Sequence, residues 1–224
     1  MITVACVWTG DKYGFEYVER LKNMVDRNLK YDRFICLTDN DVECDGIEMI
    51  KVGGLVGWWA KLALFNPELR GPGRCIYFDL DTVIVDNLQP ILQYTGPFAI
   101  CANFSQANFK RKNPGLPPSA KYVCKYGSCV MSFGDNFGIE MWDSVVNDKE
   151  KIINRCGIHG DQLAIEHVYP NADILQDYCP KDFFCYKAIW KKLNTKPSGS
   201  IMIFAGDGCR PHNVKLDWVA KYWK

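Results

Sequence analysis

The sequence has almost no excess charge of either sign and no long apolar run. Its 27 Lys and Arg against 26 Asp and Glu leave a formal charge of +1, which argues against a protein that coats nucleic acid through bulk electrostatics. No run approaches the roughly 18–20 apolar residues that a membrane-spanning helix needs. The first residues lack a basic segment and turn polar at Thr9, unlike a signal peptide. We therefore expect a soluble, cytoplasmic protein with no membrane span.

The eleven cysteines lack the pattern of a disulfide framework or a zinc site. Their number is odd, no CxxC occurs, and no group of Cys and His has zinc-finger spacing. Many of them lie in apolar runs, where a free thiol behaves as a small hydrophobic side chain. We predict reduced cysteines in the core of a cytosolic protein, with disulfides as the alternative.

The sequence does contain enough apolar material for a substantial core. Of its 224 residues, 48% are apolar or aromatic, a composition that excludes a disordered chain. Strand-like runs alternate with helix-like runs in the first half, which predicts an α/β fold. The predicted strands cover residues 2–8, 33–38, 47–52, 75–85, 97–104, 128–133 and 201–206, and the predicted helices cover residues 14–29, 58–65, 138–156 and 160–168. We expect one domain over residues 1–224.

Two carboxylates interrupt an apolar run, CIYFDLDTVIV, at residues 75–85. If the chain is extended there, Asp79 and Asp81 point to the same face. Burying two like charges this close costs several kcal/mol unless a cation neutralises them. A hard divalent ion such as Mn²⁺ or Mg²⁺ is the natural partner, and it keeps open positions that a substrate diphosphate can fill. The alternative is an edge strand whose acids are merely solvated, but the apolar residues on both sides favour the metal site.

Around this acidic pair, the segment WAKLALFNPELRGPGRCIYFDLDTVIVDNL (59–88) resembles the core of retaining glycosyltransferases of the glycogenin and family-8 type. Other matches keep the family's order along the chain: TGDKY at 9–13, GSCVM at 127–131, GDQ at 160–162 and IMIFAGDGCRPHNV at 201–214. The resemblance implies the GT-A fold, a Rossmann-like mixed sheet flanked by helices. It also implies metal-dependent transfer of a sugar from a nucleotide-sugar, a UDP-sugar above all, to an acceptor.

The resemblance implies a role for each matched residue. Asp79 and Asp81 would hold Mn²⁺ or Mg²⁺ on the diphosphate. Lys61 and Arg210 would neutralise the phosphates as the nucleoside diphosphate leaves. Together with Lys61, the catalytic residues would be Asp161 and Gln162, which orient the sugar, with Gln162 near its anomeric carbon. The other residues of the nucleotide-sugar site would be Thr9, Gly10, Asp11, Tyr13, Leu80 and Gly206.

Three positions depart from the family's pattern. Ala205 stands where the family has a His as the third metal ligand, so we name His212 as the third ligand, with Asp207 or water as alternatives. Gly127 replaces the Asn of the family's NSGV strand, which removes a polar contact near the donor sugar or the acceptor. His212 itself stands where the family has a Trp.

Several of these residues have a purely structural alternative. Asp161 is also suited to cap the helix that follows it. Lys61 fits a solvated helix face, and Thr9 and Tyr13 fit a turn threonine and a core tyrosine. Of the adjacent pair Trp58–Trp59, at most one faces the core, and the other contacts sugar or an interface.

A basic stretch at residues 104–125 points to the acceptor side. It carries cations and interleaved aromatics with no acid, its cations being Lys110, Arg111, Lys112, Lys121 and Lys125. We favour a solvated loop, and the alternative, suggested by its place between two proposed site strands, is an acceptor-side lid. The acceptor would be a glycan, a protein or, through this basic 110–125 segment, a nucleic acid.

Two other functions stay open. A nucleotidyltransferase that activates a sugar phosphate would carry a glycine-rich loop after the first strand, and TGDKYG has no GxG. A non-catalytic nucleotide-sugar-binding protein is the second, because Ala205 removes a ligand. No Asp or Glu stands out as a dedicated base for inverting attack, which favours retention of the anomeric configuration.

Overall fold

The computed structural model describes residues 1–104, 124–186, 196 and 198–224, apart from the side chain of Asp207. Most of the basic stretch at residues 104–125 lies outside the described residues, including Lys110, Arg111, Lys112 and Lys121, so neither the solvated loop nor the acceptor-side lid is tested. Lys125 is described, and its ammonium donates to the carbonyl of Pro170 at 2.6 Å.

Within the described residues, seven strands form the central sheet. They are β1 Ile2–Trp8, β2 Arg33–Thr38, β3 Glu48–Lys51, β4 Arg74–Phe78, β6 Phe98–Ala102, β7 Tyr126–Phe133 and β8 Asp173–Ile174. The order across the sheet is β3-β2-β1-β4-β7-β6-β8. The first four strands in this order are parallel, β7 is antiparallel to both neighbours, and β8 is parallel to β6. A smaller sheet joins β5 Thr82–Ile84, β10 Ile201–Ile203 and β9 Phe183–Cys185 in that order.

Helices flank the central sheet. The α-helices are α1 Glu16–Asn28, α2 Pro67–Arg70, α3 Gln89–Leu92, α4 Ile139–Cys156, α5 Gly160–Val168, α6 Leu175–Tyr178 and α7 Asp217–Tyr222. The 3₁₀-helices are Gly57–Phe65, Gly157–His159, Asp207–Cys209 and Pro211–Asn213. In α4 the backbone leaves helical geometry at Asp148, with φ −158° and ψ 64°. Among the described residues, no helix combines the length and the apolar character needed to cross a bilayer.

The strand β1 contributes side chains to both apolar layers of the fold. Its side chains alternate between the two faces of the sheet, as the period of two requires. Val4 and Cys6 pack into a layer with α1 and α7, whereas Ala5 packs into a layer with the first 3₁₀-helix and α4. A parallel strand covered on both faces is continuously apolar, which explains the run ITVACVW.

Most of the predicted elements are confirmed. The predicted strand 33–38 and helix 160–168 coincide with β2 and α5. Residues 58–65 form a 3₁₀-helix rather than an α-helix, and six consecutive residues, Ala60–Phe65, are buried. Burial on all sides, rather than an amphipathic stripe, fixes this segment, so packing overrides its local preference.

The prediction of one extended strand through the acidic pair is wrong. The strand β4 ends at Phe78, and the amide of Thr82 donates to the carbonyl of Asp79 at 3.1 Å. The chain then enters the smaller sheet as β5. Asp79 and Asp81 therefore lie in a turn between the two sheets, and the turn rather than the pleat of a strand brings both carboxylates to one side.

The cysteines are free thiols, as predicted. None of the eleven forms a disulfide bond; two of them, Cys44 and Cys209, are partly exposed, and the others are buried. Burial raises the pKa of Cys75 to about 12, so this thiol stays protonated and behaves as a small apolar group.

Candidate active site

Two neighbouring parallel strands end side by side at the main cleft. The strands β1 and β4 are paired with Ala5 opposite Tyr77, so the turn at residues 9–13 after β1 lies beside the acidic turn after β4. Ligands of α/β sheets bind beyond the carboxyl ends of parallel strands. The cleft at this edge has a volume of about 680 Å³. Its lining includes ten of the residues predicted from the sequence: Thr9, Tyr13, Lys61, Asp79, Leu80, Asp81, Asp161, Gln162, Gly206 and Arg210.

Lys61 is the buried cation of the cleft. Its ammonium lies 2.7 Å from Oδ1 of Asp79 and 3.9 Å from Oδ2 of Asp161, and it donates to Oγ of Ser128 at 3.2 Å. Burial alone would lower the pKa of Lys61, but the two carboxylates outweigh burial and the pKa is raised. The alternative of a solvated helix face is wrong, because Lys61 is only 9% exposed.

The carboxylates of the acidic turn are held by two tyrosines. The hydroxyl of Tyr13 donates to Oδ2 of Asp81 at 2.8 Å, and the hydroxyl of Tyr77 donates to Oδ1 of Asp79. Burial and the neighbouring charge of Asp79 raise the pKa of Asp81 to about 6, against the opposing effect of Tyr13. The charge of Asp79 therefore destabilises the charged form of Asp81.

This donor set fits a hard divalent cation. Asp79 and Asp81 offer carboxylate oxygens at one edge of the cleft, and the raised pKa of Asp81 marks a negative site that a cation would relieve. Across residues 1–104, 124–186, 196 and 198–224, no group of three or more His, Cys, Asp and Glu side chains gathers as a metal cage. The protein would thus supply two carboxylates and leave the other positions to phosphate oxygens and water, as Mg²⁺ and Mn²⁺ accept.

The structure does not bring His212 into the cleft. Its Nδ1 atom hydrogen-bonds to the hydroxyl of Tyr17, and its ring centroid lies 6.4 Å from that of Trp223. The imidazole is exposed and lines a separate depression beside α1 and α7. Ala205 does line the cleft but carries no donor atom, and the side chain of Asp207 lies outside the described atoms.

Two residues of the predicted nucleotide turn also lie outside the cleft lining. The amide of Gly10 donates to the carboxylate of Asp39 at 3.1 and 3.2 Å, and Asp11 is exposed. Gly10 has φ +66°, a conformation that glycine adopts at little cost. Its contribution is to the shape of the turn that places Tyr13 against Asp81.

Asp161 and Gln162 enter the cleft from the first turn of α5. The residue that caps this helix is His159, so the interpretation of Asp161 as its N-cap is wrong. Asp161 is 4% exposed, and its Oδ2 atom has no hydrogen-bond partner in the described part of the chain. Burial raises the pKa of Asp161, with Lys61 opposing the rise. A buried acceptor on the cleft wall suits a ligand hydroxyl, because buried polar atoms are ordinarily satisfied.

Arg210 lies against the nucleotide turn. Its Nη1 atom donates to the carbonyl of Lys12 at 3.1 Å, and its guanidinium carbon lies 5.1 Å from the ring centroid of Tyr13. The segment after β10 and the turn after β1 thus hold each other, and a cation is fixed at the edge of the cleft beside the acidic turn.

Sequence reasoning missed the two residues that position the central ion pairs. Ser128 lies in the matched GSCVM segment, which was read only as a strand, yet its hydroxyl accepts from Lys61. Tyr77 precedes Asp79 by two positions in β4, and this spacing is the signal that would have found it. Of the adjacent tryptophans, Trp59 is half-buried, whereas Trp58 is 53% exposed and lines the cleft.

Comparison with known proteins gives structural likeness only. No protein-family model and no curated protein matches the sequence. The galactosyltransferase LgtC in complex with donor and acceptor sugar analogues is similar at a TM-score of 0.67 and 13% identity, covering 99% of this chain and 96% of that one. The glycosyltransferase GlyE of Streptococcus pneumoniae TIGR4 is similar at a TM-score of 0.66 and 14% identity, covering 100% of this chain and 60% of that one. The bifunctional glycosyltransferase WbbM is similar at a TM-score of 0.61 and 12% identity, covering 98% of this chain and 50% of that one. The chain therefore has the GT-A fold of these glycosyltransferases, as its sequence predicted.

Proposed function

We propose that the protein is a metal-dependent glycosyltransferase that moves a sugar from a UDP-sugar to an acceptor with retention of the anomeric configuration. The observation that carries the proposal is the meeting, in one cleft, of paired carboxylates, a buried lysine and the first turn of α5. These groups come from separate segments of a GT-A fold. The volume of about 680 Å³ suits a nucleotide-sized ligand.

Asp79 and Asp81 would hold the cation. A bound divalent ion neutralises the diphosphate leaving group. The hydrogen bonds from Tyr77 and Tyr13 fix how the two carboxylates face the cleft, and such outer contacts orient metal ligands. Water and phosphate oxygens would take the positions that Ala205 leaves without a protein donor.

Lys61 and Arg210 would stabilise the charge that develops on the departing diphosphate. Lys61 is already fixed by Asp79 and Ser128, so little reorganisation accompanies the reaction. Arg210 adds a second positive charge from the other side of the acidic turn.

Asp161 and Gln162 would bind the transferred sugar. The Oδ2 atom of Asp161, which accepts no hydrogen bond within the described part of the chain, would accept one from a sugar hydroxyl, and the side chain of Gln162 lies on the same wall. Retention is supported by the carboxylates of the described cleft lining. Asp79 and Asp81 serve the metal and Asp161 faces Lys61, which leaves no separate carboxylate as a base for inverting attack.

The acceptor stays a prediction: a glycan, a protein or a nucleic acid contacted through the basic 110–125 segment. One observation favours a second candidate function. Ala205 lines the cleft where a third metal ligand is expected, which fits a protein that binds nucleotide-sugars without turning them over. Release of free sugar and UDP by the purified protein separates the two functions.

The test is thermal unfolding of the full chain with a panel of UDP-sugars, in Mn²⁺ and in chelator. A ligand that binds only the folded state raises the melting temperature. We expect a shift with one UDP-sugar in Mn²⁺ only, and none in the double variant Asp79→Asn with Asp81→Asn. The matched control is Asp86→Asn, because Asp86 is a surface acid paired with Lys196 outside the cleft. The absence of any shift in the wild-type protein would contradict the proposed function.

A further inference from the structure

Trp58 presents a large apolar surface to solvent at the cleft. Its side chain is 53% exposed and belongs to the cleft lining, whereas its neighbour Trp59 packs against the apolar layer beneath the sheet. A ligand that covered this surface would gain free energy, because apolar area would be removed from water.

The indole is seated on the backbone at the start of α5. A Cβ atom on Gly160 would lie 2.9 Å from Nε1 of Trp58 and 3.0 Å from its Cδ1 atom, and Gly160 has φ +61°. Only a residue without a side chain allows this approach. The ring is therefore held beside the residue that precedes Asp161 and Gln162, where the reacting carbon of the donor would lie.

A sugar ring is the ligand that this position suits. One face of a pyranose is a set of C–H groups, which packs against the electron-rich face of an indole. Its hydroxyls stay at the ring edge, free to hydrogen-bond. The apolar face of Trp58 would receive the C–H face of such a ring, and the neighbouring wall of Asp161 and Gln162 would hold the transferred sugar toward which the hydroxyls of that ring point.

The alternative role for Trp58 is to stack on the base of the nucleotide donor. The carbonyl of Gly57 accepts from the hydroxyl of Thr9 at 3.4 Å, so the backbone before Trp58 does approach the nucleotide turn. The close contact of the ring itself, however, is with Gly160 on the sugar side of the cleft. The geometry therefore favours a sugar.

We propose that Trp58 is the platform on which the sugar ring of the acceptor stacks, so that the acceptor is a glycan or a glycoside. This rests on the proposed glycosyl transfer. In that step an acceptor hydroxyl oxygen bonds to the anomeric carbon of the donor sugar. The bond from that carbon to the phosphate oxygen breaks, its electron pair leaves on UDP, and the hydroxyl proton is released.

A binding experiment tests the platform without turnover. The chain is labelled with 5-fluorotryptophan at its seven tryptophans. The fluorine spectra of the wild type and of Trp58→Tyr are compared, and the resonance that the variant lacks is assigned to Trp58. Methyl β-glucoside, methyl β-galactoside and methyl β-N-acetylglucosaminide are then titrated in the presence of UDP and Mn²⁺. We expect at least one glycoside to shift the Trp58 resonance. No shift with any of them, or an equal shift with UDP and Mn²⁺ alone, would overturn the proposal.

A partition experiment tests the same platform in the reaction. It measures the ratio of transfer to the glycoside over hydrolysis of the UDP-sugar by water. We expect Trp58→Ala to lower this ratio by about tenfold, equivalent to about 1.4 kcal/mol, and Trp58→Tyr to restore most of it. The matched control is Tyr178→Ala, which removes an aromatic that is 49% exposed away from the cleft.

A wild-type ratio in Trp58→Ala would count against the proposal. Failure of the wild-type protein to hydrolyse any UDP-sugar would count against the proposed function alone, because the fluorine titration still reports binding at Trp58.

Discussion

The hydroxyl of Tyr13 donates a 2.8 Å hydrogen bond to Oδ2 of Asp81, linking residues that are 68 positions apart in the chain. The bond ties the turn after β1 to the acidic turn after β4. The ring of Tyr13 also lies 4.7 Å from that of Tyr17 and 5.1 Å from the guanidinium of Arg210. Tyr13 thus links three parts of the site: the turn after β1, the carboxylate of Asp81 and the segment after β10 that carries Arg210.

Loss of this hydroxyl is expected to weaken metal binding. Tyr13→Phe keeps the ring contacts but leaves Asp81 without its oriented donor, and outer contacts of this kind commonly contribute tenfold or more to metal affinity. We expect the dissociation constant for Mn²⁺ to rise about tenfold, measured by electron paramagnetic resonance of free Mn²⁺. The control is Tyr31→Phe, which removes a hydroxyl bonded to Asp26 on the surface. Equal Mn²⁺ affinity in both variants would show that Tyr13 is not a positioning residue.

The ion pairs of Lys61 give a second prediction. Lys61→Met leaves the carboxylates of Asp79 and Asp161 facing each other without their cation, and removing one partner of a buried pair costs about 3–5 kcal/mol. We expect a loss of that order in the free energy of unfolding, measured in urea without metal. Adding Asp161→Asn to Lys61→Met removes one orphaned charge.

The double variant should therefore lose less than the sum of the two single losses, because residues in contact are coupled. Strict additivity would mean that the 3.9 Å separation between the Lys61 ammonium and the Asp161 carboxylate carries no energy. A third variant, Lys61→Arg, keeps the charge but changes its shape, and we expect it to fall between the wild type and Lys61→Met.

The secondary structure that could be predicted from the sequence is that of segments whose own residue pattern determines their conformation. The strands β1 and β2 are continuous apolar runs, and their boundaries follow from the sequence alone. The acidic turn is different, because β5 leaves β4 to pair with β10, more than a hundred residues away. No local pattern at residues 79–81 encodes that pairing, so an extended strand was the natural but wrong expectation.

The candidate site shows the same division. Asp79, Asp81 and Asp161 were found because short motifs carry them in order along the chain. The ammonium of Lys61 meets Ser128 across 67 residues, a contact that depends on how the first 3₁₀-helix packs against β7. His212 illustrates the reverse case. Its residue type suggested a metal ligand, but Tyr17 holds it in another depression.

The burial of Asp81 leads to a third prediction, in which stability and metal binding change in opposite directions. Asp81 is 7% exposed and faces the charge of Asp79. Asp81→Asn keeps the shape and the hydrogen bond from Tyr13 while removing the repulsion. We expect the metal-free variant to be more stable than the wild type by about 1–3 kcal/mol at pH 8, as measured in urea.

The same variant should lose the stabilisation that Mn²⁺ gives the wild type. The control is Asp86→Asn, which removes an exposed carboxylate and should change neither quantity by more than about 0.5 kcal/mol. A metal-free Asp81→Asn protein that is less stable than the wild type would mean that the carboxylate is needed for folding rather than for a cation.

A final prediction concerns Gly127, which lies on the cleft wall. It stands where the glycosyltransferase family that the sequence resembles has an asparagine. A Cβ atom there would lie 3.4 Å from the carbonyl oxygen of Ala102 and 3.6 Å from Cα of Asn103, ordinary contact distances. Gly127→Ala is therefore accommodated, and it should stabilise the fold by about 0.4–1 kcal/mol by restricting the unfolded chain. Gly138→Ala is the contrast, because its Cβ would lie 2.5 Å from the carbonyl of Phe65 at φ +110°.

Thermal unfolding of the two alanine variants should move in opposite directions, and Gly138→Ala should lose well over 1 kcal/mol through backbone strain and the clash. Since the backbone accepts a side chain at 127, Gly127→Asn adds an amide to the cleft without disturbing the sheet. We expect it to change the KM for the UDP-sugar, with the unfolding temperature kept near that of Gly127→Ala. An unchanged KM in a folded Gly127→Asn protein would place this part of the wall outside the donor site.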